Sequence, residues 1–262
     1  MTARLAGLFA HPDDDAYVLG GTLLLHPGRI EPILVFATSG EAGPIAGGTG
    51  ATRETLGRAR EAEQAAFLEA VGYGGAATRF LRHPDYRLPE VPFERLVGEV
   101  EAVLREVRPQ VVVSFGPDGL TSHHDHVRAG EAAAEAFRRA RAADAGGPDG
   151  AFQRLYQAAY PRSDVDRFYA GVRQGGFDYG EEGNLFDLTG VPDDRIAVRV
   201  DTRPVAARKW EAILRHRTQL DEHERIPAPQ RWIVLEAECF VQAWPERRPG
   251  GPVAGGPLEG LA

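Results

Sequence analysis

The chain has 262 residues, a formal net charge of −8 and an apolar content of 43%. This is enough for one large domain with a substantial core, and no linker-like stretch divides residues 1–200. The acidic balance argues against a nucleic acid or an anionic membrane as a partner, and no apolar run approaches the roughly 20 residues of a membrane span.

Predicted strands and helices alternate through the first half of the chain. Short apolar runs predict the strands, and helical periodicity predicts the segments between them. The strands are expected at 3–10, 30–38, 78–83 and 110–116, and the helices at 16–27, 52–72, 93–107 and 123–142. This alternation predicts a mostly parallel sheet with helices on both faces, which is a Rossmann-like three-layer α/β fold.

The second half of the chain is less regular. Strands are expected at 154–161 and 195–200, and the Gly- and Asp-rich loop between Ser163 and Asp194 is a candidate lid because long loops in compact domains are often functional. A helix is expected at 204–223, whereas 231–243 fits a strand or a helix. We expect a single α/β domain over residues 1–244, followed by a Pro/Gly-rich tail (245–262) whose composition predicts disorder.

The numbers of cysteines and lysines restrict the expected redox compartment and the possible covalent mechanisms. Cys239 is the only cysteine and lies in the apolar context AECFV, so it is expected in the core; the lack of a disulfide fits the reducing cytoplasm. The N-terminal apolar run is about six residues long, too short for the apolar region of a signal peptide. Lys209 is the only lysine, so any lysine-based covalent mechanism would have to use it.

Two clusters of polar residues follow two of the predicted strands. HPDDD (11–15) follows the first strand, HHDH (123–126) follows the fourth, and together they hold four of the eight histidines. In open α/β sheets, ligands bind outside the carboxyl ends of the strands. The clusters are therefore expected to form one site.

A dinucleotide-binding site does not fit this position. It requires a G-x-G-x-x-G turn directly after the first strand, whereas Gly20 and Gly21 come later, inside the predicted helix. Three aspartates would also repel an anionic cofactor. A P-loop and a G-x-S-x-G nucleophile elbow are absent as well. Adjacent carboxylates favour a cation instead.

Zinc is the natural candidate, because catalytic zinc takes three His and Asp/Glu ligands and leaves a position for water. His11 and Asp14 on a tight turn can face one point, with a histidine of the second cluster completing the set. Asp13 would then lie beside the metal as general base. His123 and His126 share a helix face, so one can bind metal while the other reaches the substrate, and Asp125 can fix a histidine tautomer.

These motifs resemble those of a known family. AHPDDDAYVLGGTL (10–23) is similar to the AHPDDE…GGT motif of the LmbE/PIG-L family of zinc-dependent N-acetylglucosamine deacetylases, and GPDGLTSHHDH (116–126) is similar to its H-x-D-H motif. ATSGEAG, RAREAEQAAFLEAVG and KWEAILRHRTQ are weaker similarities. Together they span residues 5–219 in the family's order.

The resemblance implies a role for each residue of the two motifs. His11, Asp14 and His126 would bind zinc or another divalent transition metal, and Asp13 would be the general base. His123 would protonate the leaving amine or stabilise the oxyanion, with Asp125 behind it. The chain departs from the family at Asp15, where glutamate is usual, and at His124, where proline is common; we expect His124 to be simply exposed.

The substrate-binding candidates have structural alternatives. Arg60 and Glu63 are a surface ion pair at helix spacing or, by the resemblance, a substrate clamp. HPDYRL (83–88) resembles the family's substrate-side loop, so Asp85 and Arg87 are candidates, and a plain turn is the alternative. The carboxylates of HPDDD could also serve only the helix dipole, and Asp125 could cap its helix.

The resemblance implies a hydrolase that removes acetyl from an N-acetylglucosaminyl conjugate, a small-molecule substrate. One alternative is a metal-dependent hydrolase of another amide or ester. A second is a non-catalytic metal- or sugar-binding relative, which would have no need of Asp13 or His123. The sequence leaves the aglycone, the oligomeric state and the metal used in the cell open.

Overall fold

The computed structural model describes residues 2–144, 150–176 and 188–261. Its strands are β1 Ala3–Phe9, β2 Ile30–Phe36, β3 Ala77–Phe80, β4 Val111–Phe115, β5 Arg154–Ala158, β6 Ile196–Asp201 and β7 Ala237–Trp244. Within the described ranges they form one sheet in the order β3-β2-β1-β4-β5-β7-β6. The first five strands pair in parallel, and β7 is antiparallel to both β5 and β6.

Helices flank this sheet. They are α1 Asp14–Val18, α2 Gly20–Leu25, α3 Leu56–Ala70, α4 Phe93–Val107, α5 His124–Asp144, α6 Arg162–Gln174, α7 Ala206–Ile213, α8 Leu220–Glu224 and α9 Trp232–Leu235. α4 packs on α5, which contacts β1 and β4, whereas α1, α2 and α3 contact α7. The predicted three-layer α/β fold with a mostly parallel sheet is confirmed.

The central strands β1 and β4 bring the two motif clusters together. Every residue of β4 is buried, and β1 is buried from Leu5 to Phe9, as expected for parallel strands covered on both faces. β1 and β4 are neighbours, so HPDDD and HHDH follow adjacent strand ends. α5 approaches β4 so closely that a Cβ on Gly130 would lie 2.6 Å from the Phe115 carbonyl oxygen.

The C-terminal half differs from the prediction at two places, and a third segment contains both of the alternatives left open for it. The first part of the expected loop between Ser163 and Asp194 is α6, whose buried side Val165, Phe168 and Val172 gives helical spacing. The centre of that loop, 177–187, lies outside the described residues. The helix expected at 204–223 is split into α7 and α8. The segment 231–243, for which strand and helix were both open, contains α9 and most of β7.

The tail differs from the disorder predicted for 245–262. Ala254 forms a parallel bridge with Val198 of β6: its N–H donates to the Ala197 carbonyl, and its own carbonyl accepts the Arg199 N–H, both at 2.9 Å. Leu258 packs against the core. β6 is the last strand of the sheet, and an unpaired strand edge must be covered. Covering this edge orders a segment whose composition alone would not predict order.

The only lysine forms a buried ion pair. Lys209 and Glu238 are 0% and 3% exposed, with Nζ 2.7 Å from Oε1, and Nζ also donates to the Tyr17 carbonyl at 2.8 Å. Glu238 accepts the backbone N–H groups of Gly21 and Thr22 at 2.6 and 2.8 Å, where α2 begins. A buried pair with all these partners fixes the start of α2. Lys209 therefore has a structural role, and no covalent role is needed for it.

Cys239 is buried, as expected from its apolar context. Among the described residues, no helix has the length and apolar character that a membrane span requires.

Candidate metal and catalytic site

The three consecutive aspartates of HPDDD point to three different partners. Asp13 adopts φ 103°, a left-handed conformation that non-glycine residues rarely adopt, and its carboxylate lies 3.2 Å from Arg60. Asp14 Oδ1 lies 3.2 Å from His126 Nε2. Asp15 is fully buried and accepts a hydrogen bond from Gln64 Nε2 at 2.7 Å. The turn thus directs the three neighbouring carboxylates to different partners and reduces the repulsion between them.

Asp15 is a core group rather than an exposed charge at the start of a helix. Burial raises its pKa to about 8, and the neighbouring Asp14 and Asp13 act in the same direction, while the Gln64 hydrogen bond opposes them. Burial thus favours the protonated form of this carboxyl. The replacement of the family's usual glutamate leaves the proposed ligand set untouched.

The three proposed metal ligands converge. One ligand atom each of His11, Asp14 and His126 lies within 4.8 Å of the others, and all three residues are buried. His126 Nε2 lies 3.2 Å from His11 Nδ1. Two such nitrogens with lone pairs face to face repel each other unless a proton or a cation lies between them. This arrangement fits a metal ion.

The remaining polar atoms of Asp14 and His126 are held by the backbone. Asp14 Oδ2 accepts the N–H groups of Ala10 and His11 at 3.1 and 2.8 Å. His126 Nδ1 lies 3.0 Å from the Gly119 carbonyl oxygen, so it carries the proton. Each side chain is left with one atom free to bind a metal, the usual result of hydrogen bonds that orient metal ligands.

His11 is oriented by two carboxylates, one of them unexpected. Its Nε2 lies 3.1 Å from Asp85 Oδ1 and 3.4 Å from Asp125 Oδ2. Burial alone would lower the pKa of His11, but the hydrogen bonds to Asp125 and Asp85 and the nearby Asp14 raise it to about 10. Three carboxylates around one histidine leave surplus negative charge, which suits a divalent cation.

Asp125 hydrogen-bonds a histidine ring, as predicted, but the ring is not that of His123, and Asp85 also differs from its predicted place. The Asp125 carboxylate contacts His11 rather than His123, and it also accepts the N–H groups of Tyr86 and Leu88 at 2.8 and 2.9 Å. Asp85, a substrate-binding candidate, has Oδ1 at His11 and Oδ2 at the Ala42 N–H. Because each carboxylate contacts His11, a proposed metal ligand, each is placed to orient the His11 ring.

His123 stands beside the metal ligands with a defined tautomer. Its Nδ1 accepts the Asp125 backbone N–H at 3.1 Å, so a neutral ring carries its proton on Nε2. Burial and the neighbouring His11 and His126 lower its pKa to about 3. His124, whose side chain is 42% exposed, donates from Nε2 to the Tyr86 carbonyl at 2.9 Å, so it is half-exposed and bonded rather than simply exposed.

Arg60 contacts the proposed base rather than forming a surface ion pair with Glu63. It is 4% exposed; Nη2 donates to the Pro12 carbonyl at 2.6 Å and Nη1 to the Gly40 carbonyl at 2.9 Å. A Cβ on Gly40, which has φ 67°, would lie 2.3 Å from Nη1, so both backbone and packing require glycine there. Glu63 instead accepts from Thr218 at 2.7 and 2.8 Å.

The electrostatic state of Asp13 follows from its burial and from Arg60. Burial raises the pKa of Asp13 to about 7, a rise that Arg60 opposes and Asp14 reinforces. Such a carboxyl can gain and lose a proton near neutral pH, as general base catalysis requires.

Arg87 is not brought to this site. It is exposed and pairs with Glu90, and it does not line the cavity around the metal ligands. The cavity has a volume of about 710 Å³ and includes residues that the sequence did not indicate, among them Tyr17, Tyr86, Tyr160 and His223. The Tyr17 hydroxyl oxygen lies 2.6 Å from His223 Nδ1, within hydrogen-bond distance. Tyr17 lies within the AHPDDDAYVLGGTL segment, whereas His223 lies outside both motifs, and no local pattern indicated that the two residues would meet.

Residues 7–137 match the family model PIG-L, GlcNAc-PI de-N-acetylase. A 1D-myo-inositol 2-acetamido-2-deoxy-alpha-D-glucopyranoside deacetylase from Rhodococcus erythropolis is 32% identical over 245 residues, covering 83% of this chain and 81% of that protein.

Solved structures share the fold at lower sequence identity. An N,N'-diacetylchitobiose deacetylase from Pyrococcus horikoshii has a TM-score of 0.62 at 19% identity, over 95% of this chain and 84% of that one. GalB, the 4-carboxy-2-hydroxymuconate hydratase from Pseudomonas putida, has a TM-score of 0.63 at 21% identity, over 96% and 100%. The family match and the 32% identical relative show that this chain belongs to the PIG-L (LmbE-like) family.

Proposed function

We propose that this chain is a zinc-dependent N-deacetylase that removes acetyl from a small N-acetylglucosaminyl conjugate by hydrolysis of the amide. The observation that carries the proposal is the convergence of the His11, Asp14 and His126 ligand atoms in a cavity also lined by Asp13 and His123. The names of the Rhodococcus relative and of the matching family support acetylated glucosamine as the substrate class.

The donor set fits zinc. Two imidazole nitrogens and one carboxylate oxygen form a three-ligand set that leaves room for water, as in catalytic zinc sites; another divalent transition metal would use the same atoms. A bound ion would polarise the amide carbonyl and lower the pKa of a water molecule to roughly 7.

Asp13 is assigned the proton transfers. Its carboxylate, held by Arg60, would take a proton from the attacking water and return it to the leaving nitrogen as the C–N bond breaks. Water and amide thus become a free amine and acetic acid, which ionises to acetate in solution, with no other reactant. A single buried carboxyl suffices for both transfers because it regains its starting state after each turnover.

His123 is assigned to the carbonyl oxygen. Its Nε2–H, fixed by the Asp125 N–H on the other ring nitrogen, would donate to the oxygen as negative charge develops there. Of the two roles that the family resemblance implied, this tautomer favours oxyanion stabilisation over protonation of the amine. Asp85 and Asp125 would act through His11 as positioning residues.

Two other functions stay open to test. The GalB likeness shows that this fold also carries a hydratase, so the fold does not decide the reaction. Hydrolysis of another amide or ester would use the same groups, whereas a binding protein would need neither Asp13 nor His123.

The cytoplasmic location, the absence of nucleic-acid and membrane partners, and a lid at 163–194 remain predictions.

The test is product analysis with the zinc-loaded chain over a panel of N-acetylglucosaminides, with N-acetylated amino acids and simple esters beside them. We expect free amine and acetate in equal amounts from one or more glycosides. The Asp13→Asn control should form these products only at its low residual rate. Turnover of esters or amino-acid amides alone would favour a hydrolase of another amide or ester. No turnover on any substrate would favour a binding protein.

A further inference from the structure

Tyr86 presents a large aromatic ring to solvent at the cavity wall. Its side chain lines the cavity and is 64% exposed, although it follows directly after the buried Asp85. The ring lies 5.4 Å from His123 and 4.6 Å from His124, centroid to centroid, at 85° and 89° to their planes. The two imidazoles stack on each other, so Tyr86 and this stack form a corner beside the proposed carbonyl site.

The backbone of Tyr86 is strained and held by the site itself. Its φ of 64° is in the left-handed region, which is unfavourable for a residue with a bulky side chain. The N–H donates to Asp85 Oδ1 and to Asp125 Oδ2, both at 2.8 Å, and the carbonyl accepts from His124. Asp85 and Asp125 are the carboxylates that orient His11. The position of the ring is thus tied to the metal ligand set.

Packing within the chain does not account for this arrangement. A ring that is mostly exposed gains little from burial, whereas the left-handed backbone costs stability. Strained residues that the surroundings hold in place are typical of ligand-binding positions. An aromatic ring fits a pyranose because the apolar C–H face of the sugar can cover the ring while its hydroxyl groups stay free for hydrogen bonds.

We propose that Tyr86 is a specificity-determining residue whose ring packs against the pyranose ring of the substrate next to His123. The inference rests on the proposed function. In an N-acetylglucosaminide the pyranose is bonded directly to the amide nitrogen, so when the carbonyl lies at His123 the sugar ring must occupy adjacent space. Tyr86 would then distinguish acetamides on a sugar ring from acyclic acetamides of the same chemistry.

The experiment compares Tyr86→Ala and Tyr86→Phe with the wild type on two substrates. One is a methyl N-acetylglucosaminide, and the other is N-acetylethanolamine, which keeps the acetamide and a hydroxyl group but has no ring. For Tyr86→Ala we expect a KM about 5- to 30-fold higher for the glycoside, kcat within about 3-fold, and little change for the acyclic substrate. Tyr86→Phe should restore most of the glycoside KM.

Arg82→Ala is the matched control, because Arg82 is on the same loop, is exposed, has φ 56° and does not line the cavity. Metal content and melting temperature are measured for every variant. Calorimetric binding of the glycoside to Asp13→Asn and to Asp13→Asn/Tyr86→Ala gives a readout without turnover, and the double variant should bind about 5- to 30-fold more weakly.

The outcomes separate this inference from the proposed function. If the wild type turns over the glycoside normally and Tyr86→Ala has the same KM, the role of Tyr86 is overturned. The proposed function is then unaffected. An equal loss on both substrates would also overturn the role of Tyr86, since that points to damage of the metal site. If the wild type neither binds nor hydrolyses any glycoside, the proposed function fails and this inference fails with it.

Discussion

Two pairs of buried histidines in this molecule have opposite surroundings. His11 and His126 at the proposed metal site are 8% and 9% exposed, and His216 and His223 nearby are 0% and 2% exposed. In the first pair, every ring nitrogen has a polar atom within 3.4 Å. In the second, both nitrogens of His216 and Nε2 of His223 have no hydrogen-bond partner among the described residues.

The pKa values of His11, His216 and His223 follow from these surroundings. Burial, the neighbouring His223 and Arg60 hold the pKa of His216 well below its usual value, and burial and Arg60 lower that of His223 to about 3. His11 is equally enclosed, but the carboxylates around it raise its pKa to about 10. Burial of a histidine therefore does not indicate a metal site. The carboxylates that converge on His11 favour a cation there.

The largest difference between the two histidine pairs should appear in metal content and activity when a proposed metal ligand is removed. His126→Ala removes one of three ligand atoms, so we expect bound zinc to fall from about one per chain to well below that, with activity reduced more than about 10³-fold. Metal analysis after dialysis and the product assay measure both. His216→Leu is the matched control and should keep its zinc. Stoichiometric zinc in His126→Ala would contradict the ligand assignment.

The aspartates give the next largest effect. Asp14→Ala should lose metal and activity together, whereas Asp13→Asn should keep its zinc and lose about 10²–10⁴-fold in kcat, because a proton acceptor is gone and the ligands are intact. KM should change little. Zinc-replete Asp13→Asn with near wild-type turnover would falsify the base assignment.

Arg60 should have a smaller effect through Asp13. Arg60→Lys keeps a positive charge but cannot make all the hydrogen bonds to Asp13, Pro12 and Gly40, so we expect kcat to fall about 10- to 100-fold with zinc retained. Steady-state kinetics with the glycoside separates two roles. A rise in KM at constant kcat would restore Arg60 as a substrate clamp.

The smallest effect concerns the stability of the second pair. Because the folded pKa of His223 lies below the unfolded value of 6.5, its contribution to stability is complete above pH 6.5 and decreases as the pH falls toward about 3. His216 has the same sign. His223 should cost about 1–2 kcal/mol between pH 6.5 and 5, and His216 should lower the stability in the same direction. Urea unfolding of wild type, His216→Gln and His223→Gln at both pH values measures this, and equal pH dependence in all three would contradict it.

The sequence predicted the convergence of the two motif clusters better than it predicted the groups that surround them. HPDDD and HHDH could be assigned to one site because adjacent parallel strands end at the same edge, and this depends only on local patterns and on fold class. Arg60 and Asp85 belong to a helix and a loop whose contacts with the site depend on tertiary packing. Their chemistry suggested substrate contacts, and the structure shows contacts with Asp13 and His11 instead.

The fold shows the same division. The alternation of strands and helices gave the sheet and its flanking helices, and α4 was predicted at its observed bounds. The first part of the expected loop between Ser163 and Asp194 is instead α6, because Gly and Asp residues further along dominated its composition. The tail along β6 was missed because pairing with a strand edge leaves no periodic signal in a Pro/Gly-rich segment.

Burial of Lys209 in its pair with Glu238 also affects how the protein reacts with amine-reactive reagents. With its only lysine 0% exposed, the folded protein offers amine-reactive reagents no accessible side-chain amine. Assays that detect a released amino sugar should therefore have a low protein background. Acylation of Lys209 should occur only when the contact between α2 and α7 opens, so mass spectrometry of this one residue would report how often this part of the core unfolds.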